Sequence, residues 1–339
     1  MADALPPVEK TPPGPATAAP EAPPPGRSGL RGRAALVGVV ALALVASAVA
    51  LDHVGAAGLG STPSGAASGA WFCPHGGGDG WTAWVVAANP GRAAVSLRFT
   101  TLGARGATAS DAVTLAPGHE VIREVPADDE AAATEVEFFG GWVGAAVVLR
   151  PEAGSPGMAA MRCASASHRV WYLPDEPTTP DRTSTVVVMN PFSQLAEFDV
   201  SFRSEQRTVS PGTLSPVVLG PHRAMALHVN AFALQTPGED TMTATVVTRI
   251  GRVIAGSLDA SPGGIRAEAG VAGAEREWVL PATGYESAAL TVMNPSEARV
   301  GLTVVAQGPK RQKLVSSVEG FSVAPESVAT FEVTGLAGA

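Results

Sequence analysis

Apolar and polar residues alternate in short runs through most of the chain after residue 70. Phe198, Val200 and Phe202, for example, lie between polar residues from Glu197 to Arg203. A period of two places the apolar side chains on one face of a β-strand and the polar ones on the other. Gly, Pro, Asn and Asp recur between these runs about every 8–12 residues, which is typical of two packed sheets. The pattern therefore predicts an all-β protein.

The pattern is clearest in the middle third of the chain. There it predicts strands near Val170–Leu173, Thr185–Met189, Glu197–Arg203, Val217–Leu219, Ala224–Val229, Met242–Thr248 and Val253–Leu258. The same alternation appears earlier at Val95, Leu97 and Phe99, and later at Leu302 and Val304.

Three landmarks occur three times in the same order, so the sequence contains a repeat. The first is a Trp followed three positions later by Pro: Trp71 and Pro74, Trp171 and Pro174, Trp278 and Pro281. The second is an Asn-Pro pair at the end of an apolar run: Asn89-Pro90, Asn190-Pro191, Asn294-Pro295. The third is a Pro just before another alternating strand: Pro117, Pro221, Pro325. A repeat of this size indicates an array of small units.

Each landmark residue has a physical role. Pro has no amide hydrogen, so Asn-Pro ends a strand, and Asn hydrogen-bonds the backbone of its own turn. We expect each Trp to fill the edge of a core that contains few other aromatic residues. Trp81, Trp84 and Trp142 belong only to the first copy, and either pack in the same way or form a carbohydrate or partner surface.

The repeat predicts tandem immunoglobulin-like β-sandwiches, two full and one shortened. Their expected bounds are 71–170, 171–277 and 278–339. The third copy lacks counterparts of the last two strands of the second. It is a reduced cap, or it is cut short, or it receives strands from a partner, because open sheet edges are usually avoided.

The N-terminal region predicts a membrane anchor. Residues 1–33 are rich in Pro and Ala, which favours a disordered tail, and contain Arg27, Arg31 and Arg33. Residues 34–51 carry no charge, and as a helix they would span roughly 27 Å. The preceding arginines place the N-terminus in the cytoplasm and the rest outside. Residues 52–70 are mostly Gly, Ala and Ser and predict a flexible linker.

A cleaved signal peptide is the alternative to a single-pass anchor. Small residues at 46, 48 and 50 fit its cleavage site, in which case the mature protein is secreted. Under either interpretation the region with the two cysteines is exported. Cys73 and Cys163 lie at opposite ends of the first predicted unit. We therefore expect them to form a structural disulfide rather than a redox pair.

Charge and motifs limit the function. A net charge of −8 argues against a nucleic-acid partner, since phosphate binding needs clustered Lys and Arg. The sequence contains no nucleophile elbow, zincin motif or phosphate loop, and the six His are scattered. The acidic pairs, including Asp175-Glu176, are expected in solvated loops, although Asp79 and Asp175 follow matching Pro residues and could bind calcium in loops between units. We predict no catalytic residue, no metal site and no cofactor.

The Trp, Asn-Pro and Pro landmarks, behind a Pro-rich tail and an anchor, resemble an uncharacterised actinobacterial family of exported proteins. The resemblance covers about residues 70–339 and implies no activity or site residue. The expected function is a non-enzymatic cell-envelope protein that presents β-sandwiches for structural or binding roles, with a wall polymer or another envelope protein as partner. The alternatives are a carbohydrate-active, wall-remodelling enzyme and an accessory subunit of an export or glycosyl-transfer complex.

Overall fold

The computed structural model describes residues 68–109, 112–152, 156–205, 207–233, 240–280, 287–307, 312–315 and 320–334. The described chain is all-β, as predicted, apart from one 3-10 turn and one helical turn. None of the helical residues in these ranges forms a segment long and apolar enough to cross a membrane. The predicted tail, the 34–51 anchor and residues 52–67 lie outside the described residues.

The first group of strands forms two facing sheets, which we call module 1. Its strands are β1 (Ser68–Cys73), β2 (Trp81–Ala88), β3 (Val95–Gly103), β4 (Gly106–Ala109), β5 (Val113–Leu115), β6 (Glu120–Pro126), β7 (Ala133–Phe139), β8 (Gly144–Pro151) and β9 (Ala159–Arg162). One sheet has the order β1-β7-β3-β4, with β5 also beside β3, and the other has the order β6-β2-β8-β9. Alternate residues such as Val85 and Leu97 are fully buried between them.

The second group repeats this topology strand for strand and is called module 2. Its strands are β10 (Val170–Pro177), β11 (Thr183–Asn190), β12 (Ala196–Arg203), β13 (Thr208–Val209), β14 (Val217–Leu219), β15 (Arg223–His228), β16 (Thr241–Ile250), β17 (Ile254–Ser261) and β18 (Gly264–Ala269). Its sheets run β10-β16-β12-β13, with β14 beside β12, and β15-β11-β17-β18. The immunoglobulin-like class itself stays a prediction.

The strands predicted from the alternation are present in module 2, with bounds that differ by a few residues. Two strands were missed, β13 and β18, because they are short or follow a Gly-containing turn. At the other end, β1 begins at Ser68 and pairs with Phe139. The expected linker therefore stops before 68, since residues 68–70 already belong to a sheet.

The remaining strands form a smaller group, the third unit. They are β19 (Ser287–Asn294), β20 (Val300–Gly301), β21 (Val305–Gln307), β22 (Gln312–Leu314), β23 (Ser322–Val323) and β24 (Ser327–Thr334). The pairs β19-β24, β20-β23 and β21-β22 correspond to β2-β6, β3-β5 and β3-β4 of module 1. Among the described residues, no strand of this unit corresponds to β1, β7, β8 or β9.

Modules 1 and 2 share buried surface instead of standing apart. Phe72 and Leu102 of module 1 lie in the core cluster of module 2, while Leu258 and Ala267 of module 2 lie in that of module 1. The Phe72 ring packs against Phe192 with centroids 5.8 Å apart. Such mutual burial holds the two modules as one block.

Candidate functional site

The Asn landmark connects the other repeat elements. Asn190 is buried at the end of β11, and its side-chain amide donates to the carbonyl oxygens of Gln194, Leu219 and Gly220 at 2.8, 3.2 and 3.0 Å. Its Oδ1 accepts the backbone N–H of Phe192 at 3.1 Å. The sequence predicted the turn contact. It did not show that this Asn also holds the residues just before Pro221.

The same arrangement occurs in the other two copies. Asn89 donates to the carbonyls of Ala93, Leu115 and Ala116, and Asn294 donates to those of Ala298, Val323 and Ala324. Each Asn therefore ties the end of its strand to the segment that precedes the third landmark. This common geometry shows that the three copies of these landmarks have the same structural role.

Replacing Asn190 tests how much this connection contributes. In Asn190→Ala, the Leu219 and Gly220 carbonyls lose their side-chain donor, and we expect the free energy of unfolding to fall by about 2 kcal/mol. Asn190→Asp should cost more, because a carboxylate would face the same carbonyl oxygens without an N–H to donate. Urea unfolding of the purified full-length chain measures both, and equal losses for the two variants would contradict the donor role.

The Trp landmarks do not all occupy equivalent places. The indole N–H of Trp71 donates to Val143 O at 2.7 Å, and that of Trp171 donates to Val253 O at 2.9 Å. Val143 and Val253 directly precede the equivalent strands β8 and β17. Trp278, in contrast, is 52% exposed and lies outside any strand. The prediction that it fills a core edge is wrong, because the third unit has no described counterpart of β7, to which β1 pairs.

The predicted disulfide is confirmed. Cys73, at the end of β1, is bonded to Cys163, just after β9, across a sequence separation of 90. Both residues are buried in the core of module 1, and no free cysteine remains. The bond therefore closes the first module at both of its chain ends.

A buried imidazole follows the disulfide directly. Nδ1 of His75 lies 2.7 Å from the carbonyl of Gly76, which only accepts, so Nδ1 carries the proton. Nε2 lies 3.0 Å from the hydroxyl of Thr134 and accepts from it in the neutral ring. Burial lowers the pKa of His75 to about 4, although the bond to Gly76 opposes this shift. The side chain is therefore neutral at pH 7.

The lowered pKa of His75 predicts a loss of stability in mild acid. Its pKa is about 6.5 in the unfolded chain, so between pH 6.5 and 4 the unfolded state binds more protons than the native state. Stability is therefore highest above pH 6.5 and falls by about 3 kcal/mol as the pH drops to 4. We expect the variant His75→Gln, which keeps one donor and one acceptor, to lose this dependence of stability on pH. Urea midpoints of the native chain and of His75→Gln at pH 7 and pH 4.5 measure the difference. Identical pH profiles for the two proteins would contradict the prediction.

The chemically richest site is a group of buried and partly buried charges at one end of module 2, which we call the carboxylate cluster. Arg266 on β18 forms ion pairs with Asp175 and Asp259, and its Nε lies 3.6 Å from Glu268. Glu176, fully buried beside them, accepts a hydrogen bond from the hydroxyl of Ser184. One oxygen each of Glu176 and Asp259 has no hydrogen-bond partner.

Three carboxyl groups of the cluster have raised pKa values, so they take up a proton more readily than exposed carboxyl groups do. Burial raises the pKa of Glu176 well above its usual value, and the negative charge of Asp259 adds to the shift. Burial also raises the pKa values of Asp259 and Glu268, with Arg266 acting in the opposite direction. A group whose pKa is raised on folding stabilises the native state below its unfolded pKa. Its contribution is lost as the pH rises through the pKa that the group has in the native state.

Module 1 shows that the fold does not need these charges. Strand pairing makes Ser184 equivalent to Ala83, Asp259 to Leu149, and Arg266 to Ala159. By the same pairing, Ser257 and Glu268 correspond to Val147 and Met161. All of the module 1 residues are apolar and lie in its core. At this end of the sandwich, the same architecture thus has apolar inner residues in one copy and charged inner residues in the other.

The sequence interpretation of Asp175-Glu176 was wrong. This pair was expected in a solvated loop, but both residues lie in β10, at a shift of register between Leu173 and Glu176. Arg266 was not singled out, because its partner Asp175 lies 91 residues away in sequence. In the described part of the chain, no group of three or more His, Cys, Asp or Glu side chains is arranged to hold a metal ion. Arg266 supplies the positive charge among these acids.

The additional aromatics of module 1 are divided between core and surface. Trp81 packs against the core, and Trp142 meets Trp71 edge to face with centroids 6.1 Å apart. Trp84 lies on the outer face of its sheet, with the guanidinium of Arg150 5.4 Å from its ring centre. Trp81 and Trp142 therefore fit the packing alternative, and Trp84 alone is on the outer surface of its sheet.

Comparison with known proteins gives a family but no activity. A family model described as a family of unknown function (DUF5719) matches residues 131–339. No curated protein matches the chain. The crystal structure of Thermotoga maritima 1070 aligns with 31% of this chain and 93% of its own, at 16% identity and a TM-score of 0.26. A similarity at that score supports no conclusion about fold or function.

Proposed function

We propose that this chain, which belongs to a family of unknown function (DUF5719), has a non-enzymatic binding role in the cell envelope. Residues 34–51 anchor the chain in the membrane with the N-terminus in the cytoplasm. Modules 1 and 2 then form a rigid stalk outside the membrane, and the third unit is presented to a partner. The expected partner is an envelope protein, or else a wall polymer.

The observation that carries this proposal is the contrast between the modules and the third unit. Modules 1 and 2 bury most of their inner strand residues and share their cores, and a disulfide closes the first. The third unit leaves large apolar side chains exposed even at an inner position, Val300, besides Val305 and Phe321. Modules 1 and 2 also expose large apolar side chains, but those on their strands, such as Ile122 and Val218, lie on outer faces. Exposed apolar surface concentrated in one part of a soluble region is typical of a binding site. A disulfide fits an oxidising compartment outside the membrane.

Two measurements test the location and the role. Protease treatment of intact cells should cleave the β-units but spare an N-terminal tag, and protection of both ends would contradict export. The purified full-length chain should sediment with isolated cell envelopes without releasing soluble sugars. Loss of sedimentation in a chain that lacks residues 278–339, but not in one with Trp84→Ala, would assign the binding to the third unit.

A wall-remodelling enzyme is the second candidate, and the carboxylate cluster favours it. Glu176 has a raised pKa and Asp259 lies beside an arginine, and carboxyl groups in such unequal environments serve as acid and base in glycoside hydrolysis. Both are almost fully buried, which argues against access by a polymer. If the native chain released sugars and a correctly folded Glu176→Gln variant did not, the enzyme would be established and the binding role overturned.

A further inference from the structure

We propose that two copies of the chain associate through the outer face of one sheet of module 1, which we call the Trp84 face. This face belongs to the sheet with the order β6-β2-β8-β9 and points away from the module 1 core. The partner is a second copy of the chain, bound with two-fold symmetry. The inference goes beyond the proposed function and does not depend on what the third unit binds.

The centre of the Trp84 face is apolar. Val85 of β2 is fully buried, so the neighbouring residues Trp84 and Val86 lie on the outer side of the strand. The strand pairing places Val86 between Ile122 of β6 and Ala146 of β8. Ile122 is 61% exposed. An apolar surface that continues across three strands is typical of a contact with another protein.

The equivalent face of module 2 shows that this side of the fold makes contacts between modules. Val187 and Leu258 lie on its outer side, yet they are only 0% and 5% exposed. Both lie beside Gly76 of module 1. The outer face of this sheet is therefore a docking surface in module 2, where one end of module 1 covers it.

Charged residues distinguish the Trp84 face from its equivalent in module 2. Strand pairing makes Glu120 equivalent to Ala224 and Arg162 equivalent to Ala269. Ala269 packs against the module 1 core. A charge covered in the same way would lose its hydration and would need an opposite charge beside it. A partner of the Trp84 face must therefore supply charges of both signs.

A second copy supplies these charges in the required places. Glu120 and Glu124 lie on β6 at one edge of the sheet, and Arg162 lies on β9 at the other edge. Within the ranges that the structure describes, none of these three residues takes part in an ion pair.

A two-fold axis parallel to the strands brings the two edges together. It places β6 of one copy over β9 of the other, and β2 over β8, as in the aligned packing of two sheets. The strand pairing puts Ile122 and Arg162 in the same row across the sheet. Arg162 of the second copy would therefore lie over Ile122, between Glu120 and Glu124. The symmetry repeats this contact on the other side.

The size of the face predicts a weak dimer. Four strands about 4.8 Å apart and four outer rows about 7 Å apart give roughly 500 Å² per copy. Two copies would then bury about 1,000 Å² in total, which is at the lower limit for a specific interface. We therefore expect a dissociation constant in the micromolar range. Because the axis is parallel to the strands, Ser68 lies at the same end in both copies, as two anchors in one membrane require.

An exchange of charges across the interface tests the inference. One variant is Glu120→Arg/Glu124→Arg and the other is Arg162→Glu, and each places like charges opposite each other in its own dimer. In sedimentation velocity, the purified full-length native chain should form a dimer as its concentration rises. Each variant alone should have a dissociation constant about 10-fold higher or more. An equimolar mixture should recover the native association, because both contacts then join opposite charges.

The matched control is Arg92→Glu, in the exposed turn between β2 and β3, which should leave association unchanged. Recovery in the mixture supports this interface, because the rest of the chain is the same in all variants. A native chain that stays monomeric would overturn the inference and would leave the face to residues 1–67 or to another protein. A dimer that neither variant weakens would also overturn it, since its contact would lie elsewhere. Variants that weaken the dimer without recovery in the mixture would contradict the two-fold arrangement.

Discussion

Arg266→Met is expected to lower the free energy of unfolding by about 3 kcal/mol at pH 7. The substitution keeps most of the side-chain volume but leaves the buried carboxyl group of Asp259 without its ion-pair partner. The loss should lie at the lower end for a buried pair, since the Arg266 side chain is 32% exposed. It should be smaller at pH 5 than at pH 7, because burial raises the pKa of Asp259 and a carboxyl group that has taken up a proton no longer needs a cation. Urea unfolding at both pH values measures this.

Module 1 provides the matched control for that variant. We expect a chain in which the cluster is replaced by the equivalent module 1 residues to be within about 1 kcal/mol of the native stability, or above it. The substitutions are Ser184→Ala, Ser257→Val, Asp259→Leu, Arg266→Ala and Glu268→Met, together with Glu176→Met. An apolar end of this sandwich already exists in module 1, so no group is left buried and unpaired. A large loss in this variant would contradict the conclusion that the charges are dispensable for folding.

Removal of the Cys73–Cys163 disulfide is expected to cost up to about 4–5 kcal/mol in the chain-entropy model. The sequence separation of 90 makes the closed loop long, and opening it increases the freedom of the unfolded chain. The double variant Cys73→Ala/Cys163→Ala should unfold at a much lower urea concentration than the native chain. Because Pro74 and Gly76 pack against module 2, the loss should also loosen the contact between the modules.

Comparison with the reduced native chain separates the loop effect from packing. Reduction keeps both sulfur atoms in the core, so it should reproduce most of the loss that the double Ala variant shows. If the reduced chain were as stable as the oxidised one, the disulfide would not stabilise the fold. The single variants Cys73→Ala and Cys163→Ala should match each other, because either one opens the same loop.

The strands and the disulfide could be predicted because local patterns determine them. An alternation such as Phe198, Val200, Phe202 places one face inward whatever the distant partners are. Two cysteines at the two ends of one unit had a single pairing available. The carboxylate cluster could not be predicted in this way. Glu176 and Arg266 are far apart in sequence, and their environment depends on a register shift in β10 and on the antiparallel pairing of β17 with β18.

The sequence by itself determined an all-β chain, a three-fold repeat of landmarks and the ends of the strands at Asn89, Asn190 and Asn294. Periodicity and the chemistry of Asn-Pro act over a few residues, which makes them readable without coordinates. Only the tertiary structure decided which copies of the repeat form two complete facing sheets. Trp71 and Trp171 are held by distant carbonyls, and Trp278 is not, although the three motifs look alike. Burial depends on the strands that lie opposite a residue, and these come from elsewhere in the chain.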